Sequence, residues 1–196
     1  MPIVLHPEAI LKTESKYLSL AKTFISGILK KREKFSHKGS YGHALMIAGS
    51  YGKMGASVLA SRACLRAGVG LLTSHVPRLG YEIIQNSVSE AMTSIDSSDE
   101  IFTEFPHAGL FSAVGIGPGL GKNPKTQMAL KKLLQEKPAK LVLDADALNI
   151  LSENEEWIDL LPENTILTPH PKEFERLVGS TSNSYERLQK QLQFSV

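Results

Sequence analysis

The chain has 196 residues, 42% of them hydrophobic and 21% charged, with a formal charge of +2 at pH 7. That composition suits one α/β domain with a sizeable core, and the charge is too small and too evenly spread to argue for nucleic acid. A single cysteine, Cys64, excludes an internal disulfide and fits a reducing compartment. No run of about 18 apolar residues and no basic-then-hydrophobic leader occurs, so a soluble, cytoplasmic chain is expected.

Residues 1–35 read as a lead-in or inter-domain linker. Within them YLSLAKTFISGILKK carries Leu18, Phe24, Ile25, Ile28 and Leu29 at spacings that allow an amphipathic helix. The cluster Lys30, Lys31, Arg32 and Lys34 reads as solvated linker, with phosphate contact as the lesser alternative. After Lys38 strands alternate with helices. His43 to Ala48 predicts the first strand, and Ala56 to Ala67 a helix of small residues ended by Gly68. GLLTSHVP (70–77) predicts a strand, RLGYEIIQNS (78–87) a helix, and FSAVGIG (111–117) a third strand. Asn123 and Pro124 supply an N-cap and an N1 proline for a helix over Lys125 to Gln135. KLVLDAD (140–146) and NTILTP (164–169) predict the fourth and fifth strands, the latter followed by helices over Lys172 to Val178 and from about Tyr185. Trp157 and Tyr185 read as packing residues. The alternation implies a mostly parallel sheet with helices on both faces, in which ligands bind beyond the carboxyl ends of the strands.

Four post-strand loops therefore carry the information. In GSYGKMGAS (49–57), three glycines, the following helix N-terminus and Lys53 favour an anion, against the plain alternative of a tight turn. The loop lacks the Walker spacing. In GIGPGLGKN (115–123), Gly117, Gly119 and Gly121 alternate before a well-capped helix, again exposing N–H groups. Leu120 stands where the dehydrogenase fingerprint needs glycine, which disfavours a fold of that type. In LVLDADALN (141–149), Asp144 and Asp146 could bind a Mg²⁺–phosphate assembly through water or accept hydrogen bonds from a sugar or amide. Asp146 is the expected helix N-cap, which leaves Asp144 free. In LTPHPKEF (167–174), two prolines flank His170 and fix it at a strand end, ahead of Glu173. The other histidines, His6, His37, His43, His75 and His107, share no metal-ligand spacing, so no protein-held metal is expected.

Taken in order, HKGSYGHALMIAGSYGKMGASVLASRACLRAGVGLLT, GIGPGLG, DADALN and LTPHPKEF resemble the NAD(P)H-hydrate dehydratases, the carbohydrate kinase-like domain of the two-part metabolite-repair enzymes, over about residues 36 to 180. The resemblance implies a ribokinase-like fold and a homo-oligomer. It also implies a lyase reaction: ATP or ADP, with Mg²⁺, phosphorylates the ring hydroxyl of hydrated NADH or NADPH, and phosphate then leaves. By the family pattern Ala56, Gly119 and His170 lie at the hydrated-nucleotide site, with Lys53, Gly55, Gly117, Gly121, Asp144 and Glu173 as neighbours. Lys172 departs from the glycine of many relatives. The family's phosphoryl-donor segment and its general-base aspartate are expected beyond Val196, so residues 36–196 read as the N-terminal portion of the domain. The lead-in resembles the junction to an epimerase domain. Two other readings share the fold: a ribokinase-like kinase for a small alcohol such as a vitamin precursor, and a non-catalytic nicotinamide-nucleotide-binding module.

Overall fold

The computed structural model describes residues 8, 12, 14, 20–29 and 31–195. The chain divides into two compact units, residues 1–36 and 37–196. In the first, helix α1 (Lys22–Ile28) is exposed throughout, including Phe24, Ile25 and Ile28. Leu18 and Lys30 of the expected helix and cationic cluster lie outside the described residues, as does His6.

The second unit is built on six strands: β1 (His43–Ile47), β2 (Leu71–Val76), β3 (Met92–Ile95), β4 (Ala113–Ile116), β5 (Leu141–Leu143) and β6 (Ile166–Leu167). They form one sheet in the order β3-β2-β1-β4-β5-β6, and every pairing is parallel. Between them run α2 (Met54–Ala67), α3 (Tyr81–Ser87), α4 (Pro124–Gln135) and α5 (Ala145–Ser152); α6 (Pro171–Val178) and α7 (Ser184–Phe194) follow β6.

Alternation along β1 explains the layering. Leu45 and Ile47 join a large cluster with Leu130 and Leu133 of α4 and Leu148 of α5. Ala44 joins a separate cluster with Leu72, against which Val58, Cys64 and Leu65 of α2 pack. Successive strand residues point to opposite faces, so the sheet is buried on both, as a parallel sheet requires. The Cys64 thiol is half-buried, and burial pushes its pKa up, away from reactivity.

Helix punctuation follows local chemistry. Gly68 ends α2 in the left-handed conformation (φ 104°), and the Asn123 side chain accepts from the Lys125 N–H at 3.0 Å to open α4. The expected elements all appear, with three corrections. β3 was not anticipated: its sequence MTSI is short and polar at its centre, and it is an edge strand with Met92 and Ile95 exposed. The strand expected over 140–146 stops at Leu143 because the chain turns at Ala145, where φ is 47°. Tyr185 is 70% exposed on α7 rather than packed into the core, whereas Trp157 is buried as expected.

Candidate functional site

The sheet order reverses between β1 and β4, so the connections leaving these two strands go to opposite sides and open a crevice at their carboxyl ends. The two glycine turns meet there. The Gly49 N–H donates to the Pro118 carbonyl at 2.8 Å, and Ser50 Oγ donates to the Gly119 carbonyl at 2.7 Å. Gly119 (φ 70°) is so close that a methyl group on it would lie 3.0 Å from Ala56 Cβ and 3.2 Å from the Lys53 carbonyl. The second turn also abuts the end of β5, where the Gly117 Cα faces the Asp144 carbonyl oxygen. Lys53, Ala56, Gly117 and Gly119 are thus drawn around one crevice, whereas Gly55 makes no contact with the second turn and faces a cavity on the β2 side with Tyr51 and Met54.

Asp146 fastens it. Its Oδ2 accepts the Gly121 N–H at 2.8 Å and lies 3.7 Å from Lys53 Nζ. The expected capping role is therefore corrected: Asp144 occupies the N-cap position of α5, and Asp146 sits inside the first turn, where its charge also suits the helix N-terminus. Asp144 makes no side-chain capping bond, so its half-buried carboxylate stays available. Asn149 donates to Asp146 Oδ1 at 3.4 Å and accepts from Arg176 of α6 at 2.6 Å. This relay links the fourth loop to the other three.

His170 differs from the expectation of a projecting imidazole. It is the N-cap of α6, its Nδ1 accepting the N–H groups of Lys172 (3.2 Å) and Glu173 (3.3 Å) while Glu173 Oε2 accepts the His170 N–H at 3.0 Å. With Nδ1 acting as acceptor, the neutral ring carries its proton on Nε2, 3.3 Å from Glu173 Oε1. The ring is an oriented donor, still half exposed. Glu173 is buried and belongs to this capping box rather than to an open ligand position. Among the described residues, no group of three or more His, Cys, Asp or Glu could hold a metal ion.

A second polar cluster backs the first turn and went unnoticed in sequence. Asp96, fully buried, accepts from the N–H groups of Ser98 (2.8 Å), Thr103 (2.6 Å) and Glu104 (3.1 Å) and from the Thr103 hydroxyl; His75 Nε2 lies 3.3 Å away. Burial pushes the Asp96 carboxyl up, but the bonds from His75, Thr103 and Ser98 outweigh it and hold the pKa well below the usual carboxylate range. The loop so fixed reaches the site: Tyr51 N–H donates to the Glu100 carbonyl at 2.7 Å. The Ser57 hydroxyl, buried in α2 below Gly49, has no partner.

The family profile described as NAD(P)H-hydrate dehydratase matches residues 44–195. This chain belongs to the NAD(P)H-hydrate dehydratase family. It is 39% identical over 170 residues to a bifunctional NAD(P)H-hydrate repair enzyme of Coxiella burnetii, covering 82% of this chain and 31% of that one. It is 35% identical over 164 residues to an ADP-dependent (S)-NAD(P)H-hydrate dehydratase of Lactococcus lactis, covering 83% and 58%. An ADP/ATP-dependent NAD(P)H-hydrate dehydratase of Bacillus subtilis, co-crystallized with ATP/Mg²⁺, superposes with a TM-score of 0.66 at 28% identity, over 89% of this chain and 60% of that one. A ribokinase-like protein of Enterococcus faecalis shares the fold with a TM-score of 0.74 at 24% identity, over 93% and 66%. The chain thus spans under two thirds of the curated dehydratases it matches. The α/β, ribokinase-like fold expected from its dehydratase motifs is the observed one.

Proposed function

We propose that this chain forms the substrate-receiving part of an ADP- or ATP-dependent NAD(P)H-hydrate dehydratase. The observation that carries the reading is the convergence of both glycine turns and Lys53 at the β1/β4 switch point in a member of this family. Ala56 and Gly119, packed together without bulk, leave room for the dinucleotide backbone. Lys53 and the α2 N-terminus favour its phosphates. Asp146, by holding Lys53 and Gly121 at once, orients both turns. His170 Nε2–H, fixed by the capping box, would donate to a polar group of the hydrated nicotinamide.

Hydroxide is a poor leaving group, and converting the ring hydroxyl to a phosphate ester lowers the barrier to its departure. A nucleotide-borne Mg²⁺ takes one or two carboxylates beside phosphate oxygens, and Asp144, free of capping bonds, is the carboxylate that fits. When bound, such an ion would supply neutralisation of the charge on the transferred phosphoryl group. His170 serves as a donor here rather than as a base, because its Nδ1 lone pair is committed to backbone.

The deciding experiment incubates the complete protein with NADH hydrate or NADPH hydrate and either ADP or ATP with Mg²⁺, following dihydronicotinamide absorbance. Recovery with either nucleotide supports the proposal. Absence of recovery with both, together with no calorimetric heat from NADH, NADPH or their hydrates, would sink it; a stable phosphorylated product would favour a kinase instead.

A further inference from the structure

Three polar side chains stand in a row at the β2–β3 edge of the sheet. Ser94 of β3 and His75 of β2 are register partners, so their side chains leave the sheet on the same face, and Ser94 Oγ lies 3.0 Å from His75 Nδ1. His75 Nε2 lies 3.3 Å from Asp96 Oδ2. The His75 and Asp96 side chains are buried, whereas Ser94 is partly exposed. A neutral imidazole must carry its proton on Nε2, facing the carboxylate, which leaves Nδ1 to accept from the Ser94 hydroxyl. The Phe102 ring packs against His75 in a T-shaped contact, 5.8 Å between centroids, and helps to fix its plane. Beside them the Asp96 N–H donates to the Val76 carbonyl at 2.9 Å. Alternation then turns the Ile95 N–H the other way, to the open edge of β3, where it has no acceptor among the described residues.

We propose that Ser94, His75 and Asp96 form an acyl-transfer site, separate from the β1/β4 crevice, at which Ser94 takes the acyl group of small activated esters. A hydroxyl bonded to an imidazole that a buried carboxylate orients is the arrangement by which a serine becomes a nucleophile. Which ring nitrogen faces the serine is immaterial, because either can take the proton while the other donates. Ser94 Oγ bonds to the ester carbonyl carbon as its proton passes to His75 Nδ1, and the oxyanion so formed meets the Ile95 N–H. The bond from that carbon to the alcohol oxygen then breaks, and the proton on His75 goes to the departing alkoxide. Water, giving its proton to the same nitrogen, releases the acid and restores Ser94. The imidazolium formed in passing faces the Asp96 carboxylate, which its hydrogen bonds hold ionised. A single backbone donor to the oxyanion restricts the site to reactive esters. Met92, 44% exposed and two residues from Ser94 on the same face of β3, suits a short acyl chain. The site does not depend on the dehydratase reading.

The test exposes the complete protein to an alkyl fluorophosphonate, which phosphonylates activated serines with loss of fluoride, and separately to 4-nitrophenyl butyrate. Peptide mapping should place the phosphonyl group on Ser94, and 4-nitrophenolate should be released faster than in buffer alone. Ser94→Ala should lose both the label and the ester cleavage. His75→Gln, whose amide can still donate to Asp96, should slow labelling on the order of 100-fold or more, with the fold checked by urea denaturation. Ser94→Cys gives a reading that survives if His75→Gln does not fold. Its thiol, beside His75, should be alkylated by iodoacetamide at pH 7 on the order of tenfold faster than free N-acetylcysteine. No label on Ser94 in the folded chain, a label formed as fast in His75→Gln, or a Ser94→Cys thiol no faster than the free one would each overturn the site.

Discussion

A methyl group built on Gly52 or Gly55, in the turn after β1, meets nothing within 4 Å, whereas on Gly117, in the turn after β4, it would lie 1.8 Å from the Asp144 carbonyl oxygen. The two segments read alike as glycine-punctuated turns, at every third residue after β1 (Gly49, Gly52, Gly55) and at every second after β4 (Gly117, Gly119, Gly121). In the fold their glycines answer different needs. Those after β4 let three strand ends close on one another, through Gly117 against β5 and Gly119 against α2. Gly52 and Gly55 leave backbone open to solvent, which is where a ligand's phosphates can approach. Glycine content alone therefore signals a close approach without saying whether the approaching group is the protein or its ligand.

The largest expected effect tests the closed turn. Gly117→Ala combines backbone overlap with φ 140°, and should destabilise by about 4 kcal/mol or leave the chain unfolded, as read by urea denaturation. A stable, well-folded Gly117→Ala protein would break the contrast between the turns.

The open turn depends instead on the buried carboxylate behind it. Asp96→Asn places an amide against three backbone donors and should cost about 2–4 kcal/mol in thermal stability, loosening the segment that holds Tyr51. The pH dependence has a definite sign. The Asp96 pKa is depressed in the folded state, so its contribution is complete above the unfolded value of about 3.9 and is lost as pH falls below it. The gap between wild type and Asp96→Asn should be constant at neutral pH and narrow in acid. A gap that widens in acid would show that the carboxylate is not the stabilising species. Asp146→Ala, which frees Gly121 N–H and Lys53 together, should cost roughly 1–2 kcal/mol and raise the dinucleotide Kd.

These hubs mark the limit of what was legible in the chain. Strong apolar runs such as HALMI and LLTSHV announce central strands, and Asn123-Pro124 announces a helix start, because the signal is local. MTSI was hidden because an edge strand needs less apolar sequence. The four loops were recognisable by glycine, aspartate and histidine at strand ends, yet their internal wiring was not. His170 and Glu173 stand at capping-box spacing, but histidine is a rare cap, so the pair looked like a free imidazole beside a helix. Asp146 to Asn149 is a visible i, i+3 pair on α5; its continuation to Arg176 spans 27 residues and leaves no local trace. Asp96 and His75 meet only because β2 and β3 are neighbours.

The smallest effect separates stability from binding most sharply. Gly55 lies in the first turn of α2 with free space around its Cα, so Gly55→Ala should gain about 0.5–1 kcal/mol by restricting the unfolded chain. The same methyl group would stand one residue before Ala56, at the helix N-terminus proposed to receive the pyrophosphate. If the open turn exists for close approach of a ligand, Gly55→Ala should be more stable in urea and bind NADPH several-fold more weakly in calorimetry. Equal affinity alongside the gain in stability would mean that the ligand backbone passes elsewhere, and that this glycine is merely unoptimised. Loss of stability would contradict the open geometry itself, since only a neighbour within contact distance could oppose the added group.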